Sequence, residues 1–107
     1  MLGPDGNVFA AADAPQAGER FEDLWRHGDV QIERIVSSAS PDQRAYRQAQ
    51  DEWVLLLRGA ATLSVADATV ELEPGDYLHL PAGTPHRVLS TAPGSLWLAV
   101  HVHPPAL

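Results

Sequence analysis

Apolar residues recur at every second position along much of this chain, in short runs broken by glycine, proline or aspartate. Val30 to Val36 alternates well enough for a strand. Before it, Phe21, Leu24 and Trp25 fit either one short helical turn or the opposing strand of a hairpin closed by His27-Gly28-Asp29. The segment is short and a turn follows it, so the hairpin is the expectation. Six further strands are expected at 52–57, 60–65, 69–72, 77–80, 86–91 and 96–103, with turns at Arg58-Gly59, Asp67-Ala68 and Pro74-Gly75. Many short strands with turn residues between them and no long helical pattern predict an all-β sandwich or barrel. Residues 1–18 read as an irregular lead-in, and 19–107 as one barrel domain.

Strand parity says which side chains share a face. If Glu52 points inward, Val54 and Leu56 do too, while Trp53, Leu55 and Leu57 point outward. If His86 points inward, Val88 and Ser90 follow it. The runs 52–57 and 96–100 are apolar on both faces and need cover on both. A second subunit or the N-terminal segment would supply it, and a homodimer is expected. Trp53 and Trp97 are read as packing residues, and Trp25 as a candidate for the barrel mouth.

Composition removes several function classes. The chain has 107 residues, no cysteine and a formal net charge of −7. Every basic residue is arginine, which excludes Schiff-base lysines and the P-loop lysine. Without a basic block, nucleic acid is not an expected partner. No apolar run is long enough to span a bilayer and no secretory signal is apparent, so no membrane association is expected and the expected location is cytoplasmic.

The segment Gly75 to His86 carries the candidate chemistry. Pro81, Gly83 and Pro85 end one strand in a compact bend, and His86 opens the next. A neutral imidazole on a rigid turn suits a metal ligand, and it equally suits a histidine packed at a strand end. Gly75-x5-Pro81-x-Gly83-x2-His86 resembles the second motif of the cupin family, with Ser90 where that motif has asparagine. Glu52-x6-Gly59 is similar to the end of the first cupin motif, 15 residues upstream. Tyr46 and Gln48 stand where the family has two histidines, and Ser40 where it has glycine. The pattern Tyr46-x-Gln48-x3-Glu52-Trp53 resembles that of small bacterial cupins.

The resemblance implies a double-stranded β-helix of jelly-roll type with a site inside one open end. It also implies a divalent metal ion (iron, manganese, nickel or zinc) held by Glu52 and His86. Gln48 could add an amide oxygen, while Tyr46 is the first candidate for proton transfer. His79 or His101 could complete the ligand set, or could be ordinary strand residues. His103 is expected to be a frayed terminal residue and His27 to be exposed. Arg47 and Arg87 flank the site but are read as surface residues pairing with carboxylates. Three classes of function are open: a metal-dependent oxygenase, isomerase or lyase; a metal-free barrel binding a small molecule; and a non-catalytic partner subunit.

Overall fold

The computed structural model describes residues 2–105. Met1, Ala106 and Leu107, which belong to the expected lead-in and barrel, lie outside the described residues. Eight strands form: β1 (Glu19–His27), β2 (Val30–Ser37), β3 (Asp51–Arg58), β4 (Ala61–Val65), β5 (Ala68–Leu72), β6 (Tyr77–Leu80), β7 (His86–Thr91) and β8 (Ser95–Val102). They build a five-stranded sheet in the order β1-β2-β8-β3-β6 and a three-stranded sheet in the order β5-β4-β7. Every pairing is antiparallel. Among the described residues there is no helix, and so none long and apolar enough to cross a membrane.

The possible helical turn at 19–26 is a strand. Its helix-like spacing has a local cause, a β-bulge between Asp23 and Trp25 that leaves Leu24 without a partner on β2. The extra residue reverses the parity of the strand. Phe21 lies on the inner face, whereas Trp25 is turned to the outer face and stacks on the exposed His27. Trp25 therefore does not line the barrel mouth. A second bulge passes over Leu89 on β7, so Val88 packs against the core while Ser90 is exposed and Thr91 is buried. The inward face expected for Ser90 is corrected by that one residue.

The core lies between the two sheets. Val54, Leu56, Trp97 and Ala99 from the larger sheet meet Ala61, Leu63 and Leu72 from the smaller. Burying a side chain such as Leu56 contributes about 1.5–3 kcal/mol. Glu52, Val54 and Leu56 are buried while Trp53, Leu55 and Leu57 are half-exposed, as parity requires.

The outer face of the larger sheet is covered at one end by the N-terminal segment. Ala12 packs against Val36, Leu96 and Leu57. Three arginines hold the backbone there: Arg34 donates to the carbonyls of Val8 and Ala10, Arg20 to that of Ala11, and Arg58 to that of Ala12. Arg34 is buried and also pairs with Glu22 at 2.6 Å. These bonds satisfy carbonyls that the strandless segment cannot pair within a sheet. At the other end a row of paired residues, Trp25-Ile32-Val100-Trp53-His79, crosses all five strands without such cover from the strap.

Candidate functional site

The two sequence motifs are joined by backbone hydrogen bonds. Tyr46 and His86 exchange both of theirs, at 2.8 and 2.9 Å. The Gly83 N–H donates to the Gln48 carbonyl at 2.8 Å, and the Ala82 N–H to Asp51 Oδ1 at 2.7 Å. The proline-glycine bend is thereby laced to residues 46–51, which lead into β3. On β3, Glu52 lies opposite Leu80 of β6 and His101 of β8. This register brings Tyr46, Gln48, Glu52, His86 and His101 to one cavity of about 110 Å³. That is room for about four water-sized groups at roughly 30 Å³ each. Phe21, Ile35, Val54, Leu63, Leu80, Val88 and Trp97 supply its apolar walls.

The polar groups are held in specific pairs. Gln48 Nε2 donates to Glu52 Oε1 at 2.7 Å. His101 Nε2 donates to Glu33 Oε1 at 2.9 Å and lies 3.9 Å from Glu52 Oε2. His86 Nδ1 donates to the Thr84 carbonyl at 3.1 Å. In the neutral imidazole that bond fixes the tautomer, so Nε2 carries a lone pair. This Nε2 faces Glu52 Oε1 at 4.0 Å, too far for a hydrogen bond, with both side chains over nine-tenths buried. Tyr46 stacks on the His86 ring, and its hydroxyl accepts from Arg44 at 3.2 Å, which turns it toward the mouth.

Two lining carboxylates escaped the sequence reading. Glu33 holds His101 from the neighbouring strand, and Glu19 contributes a buried Oε1 with no hydrogen-bond partner among the described residues. Burial raises the Glu19 pKa above its ordinary value; a backbone bond from Asp42 opposes the shift and the charge of Asp42 adds to it. At His101 burial favours the neutral ring, but the Glu33 hydrogen bond and the charges of Glu52 and Glu33 together outweigh it and raise the pKa.

The other histidines stand apart. His79 is exposed on the outer face beside Trp53, because Leu78 and Leu80 are the inward residues of β6. His103 is not frayed: Nε2 donates to Gln31 at 2.7 Å and its backbone N–H to Asp29 at 2.8 Å. Arg47 and Arg87 are exposed.

Residues 36–103 match the family model of the cupin domain. The chain belongs to the cupin family. This cupin is similar to a crystal structure from Ralstonia eutropha JMP134, a protein provisionally named a mannose-6-phosphate isomerase. The identity is 38%, the match covers 95% of this chain and 100% of that one, and the TM-score is 0.83. A conserved protein of unknown function from Streptococcus pyogenes matches at 23% identity over 86% and 80% of the two chains, with a TM-score of 0.74. The Cnp3 cupin domain of Schizosaccharomyces pombe shares the fold at 12% identity over 94% and 74%, with a TM-score of 0.76. Among curated proteins none matches this cupin by sequence.

The metal that cupins commonly bind can be tested against these side chains. Two ligands that share an ion at about 2.1 Å stand roughly 3.0–4.2 Å apart, according to the angle between them. His86 Nε2 and Glu52 Oε1, at 4.0 Å, stand at the wide end of that range, beyond the roughly 3.4 Å of a tetrahedral pair, so Glu52 would move toward His86 to share an ion. The Nδ1 bond to Thr84 is the kind of outer partner that orients a metal-binding imidazole. His101 does not fit as placed, because its Nε2–H is directed to Glu33. Among the described residues, no three histidine, aspartate or glutamate side chains converge into a metal-holding group. The donor set is one histidine and one carboxylate, with the Gln48 amide beside them.

Proposed function

We propose that this cupin holds a divalent cation between His86 and Glu52 and binds a small molecule in the cavity beside it. The observation that carries the reading is the opposition of His86 Nε2 and Glu52 Oε1 at 4.0 Å. Two acceptors buried face to face are unfavourable unless a cation or a donor lies between them. Gln48 would turn its amide oxygen onto the ion, the amide nitrogen being the group now directed at Glu52. Iron, manganese, nickel and zinc all accept such mixed nitrogen and oxygen donors. A bound ion would act as a Lewis acid toward an oxygen or nitrogen of the ligand. Thr84 holds the His86 ring in place, while Tyr46 is positioned at the mouth to exchange a proton with the entering molecule.

The test is metal content. Full-length protein purified without chelator should contain close to one equivalent of metal, or take it up from solutions of zinc, nickel, manganese or iron. His86→Ala and Glu52→Ala should each abolish it. A second reading, a metal-free ligand-binding barrel, is favoured by the Gln48–Glu52 and Glu33–His101 bonds, which pair most of the polar groups already. It predicts wild-type protein without metal that still binds small molecules.

We propose further that a second copy covers the outer face of the larger sheet. The support is the row Trp25-Ile32-Val100-Trp53-His79 and the adjacent exposed Tyr77 and Val102, all beyond the N-terminal strap. Exposed aromatic and aliphatic residues grouped on one face are the usual core of such an interface. A location in the cytoplasm fits this reading of a cysteine-free acidic chain.

A further inference from the structure

We propose that the molecule taken into this cavity is a small organic cation, an amine in its ammonium form, and that phosphates and carboxylates are excluded. The inference rests on the cavity being a ligand site, as proposed above, but not on the metal.

The hydrogen-bonding inventory points this way. The ring and amide nitrogen donors that line the cavity each already make a bond within the protein, and the hydroxyls of Ser37 and Tyr46 each accept one. Trp97 Nε1 donates to Ser37 Oγ, His101 Nε2 to Glu33, Gln48 Nε2 to Glu52 and His86 Nδ1 to Thr84. The buried lining atom left with no partner at all is an acceptor. Glu19 Oε1 is buried without a partner among the described residues, with or without an ion at His86, and His86 Nε2, in a side chain only 9% exposed, is open to a donor in the metal-free protein. A ligand that fits must therefore bring the hydrogens, because a second acceptor placed against these atoms would be left unpaired.

The charges agree. Three carboxylates, Glu19, Glu33 and Glu52, line the cavity, and among the described residues no arginine does. The chain has no lysine. Arg44, at the rim, donates to the hydroxyl of the lining Tyr46 at 3.2 Å but is paired with Asp42 at 3.5 Å, and Arg26 is paired with Asp23 at 3.3 Å. Arg34 lies on the opposite face, under the N-terminal strap. One divalent ion would not cancel three carboxylates, so a phosphate monoester would meet a field of its own sign even in the metal-loaded protein. The name borne by the Ralstonia relative thus does not carry over to the charge of this cavity.

The walls suit the rest of such a molecule. Phe21, Tyr46 and Trp97 present aromatic surface for a cation, and Val54, Leu63, Leu80 and Val88 an apolar surface for a short alkyl body.

The experiment is titration calorimetry on full-length protein, metal-free and zinc-loaded, with four probes: butylamine, butanol, butyrate and mannose 6-phosphate. Butylamine should bind at least tenfold more tightly than butanol, with no saturable binding of butyrate or mannose 6-phosphate. Glu19→Gln should weaken butylamine about tenfold and leave butanol, metal content and Tm unchanged. Phe21→Leu, at a half-exposed site, should weaken the amine more than the alcohol. Butyrate or the sugar phosphate binding as tightly as the amine would overturn the inference, as would an amine no tighter than the alcohol. Amine binding that persists in wild-type protein unable to take up metal would remove the metal and keep this inference. Metal uptake abolished by His86→Ala, with no amine preference, would do the reverse.

Discussion

Gly59→Ala should be among the most damaging single-atom changes in this protein. Gly59 sits just after β3 with φ of +97°, a conformation that L side chains rarely adopt. Holding alanine there costs about 1–3 kcal/mol. A Cβ at this position would also lie 2.2 Å from Ser95 Oγ, 2.8 Å from Ser95 Cβ and 2.7 Å from Ser95 Cα. Rotating the serine hydroxyl cannot relieve the last contact, because Cα belongs to the backbone of β8. Ser95 is fully buried; its single hydroxyl hydrogen donates to the nearer carbonyl, that of Ala92 at 2.7 Å, and its oxygen accepts from the Ala60 N–H at 3.3 Å. Relief requires β3 and β8 to separate, and overpacking of this kind costs about 1–3 kcal/mol more. The sum, about 2–6 kcal/mol, is a large share of the 5–15 kcal/mol typical of whole domains.

Gly94→Ala is the control. Its φ is +80°, but the nearest atom to a Cβ there is Arg58 Nη2 at 4.0 Å. Only the conformational part should remain, about 1–2 kcal/mol. Urea unfolding followed by tryptophan fluorescence gives both values. Equal losses in the two variants, within about 0.5 kcal/mol, would mean that the Ser95 contact contributes nothing.

Other expectations are more local. The raised pKa of His101 stabilises the fold fully below the unfolded value of about 6.5, and that contribution disappears as pH rises through the higher folded pKa. Glu33→Gln should flatten this dependence, read from urea midpoints between pH 6 and pH 9; an unchanged slope would exclude Glu33 as its source. Arg34→Met leaves the Val8 and Ala10 carbonyls without their donor and Glu22 with Arg20 alone, and should cost about 2–4 kcal/mol. It should also speed proteolysis of the N-terminal strap, and stability within 1 kcal/mol of wild type would argue against the clamp. Trp53→Glu, in the outer row, should convert a dimer to a monomer in light scattering at micromolar concentration. A wild-type monomer at that concentration would remove the proposed second copy.

The fold was legible because its strands alternate cleanly and its turns carry glycine, proline and aspartate where the chain bends. Parity alone placed Glu52, Val54 and Leu56 on one face, and the proline-glycine bend located His86. Two bulges broke the same rule. Neither the extra Leu24 nor the extra Leu89 has a distinct side-chain chemistry, so strand parity carried from His86 puts Ser90 on the wrong face and nothing in the sequence fixes the face of Trp25. Glu33 and Glu19 were missed for another reason. One end of this interior is polar, so a charged residue in a strand does not mark the solvent side. Conversely Arg34, the polar neighbour of Glu33, is buried on the outer face only because the N-terminal strap lies over it. Pairing of Gln31 with His101 and of Glu33 with Ala99 could be known only from the register between β2 and β8.

The most direct test of the central claim is the metal content of wild-type protein beside His86→Ala and Glu52→Ala, measured by elemental analysis after loading and dialysis. The wild type should retain close to one equivalent and either variant none. Wild-type protein that retains no zinc, nickel, manganese or iron, or variants that retain as much as wild type, would contradict that claim.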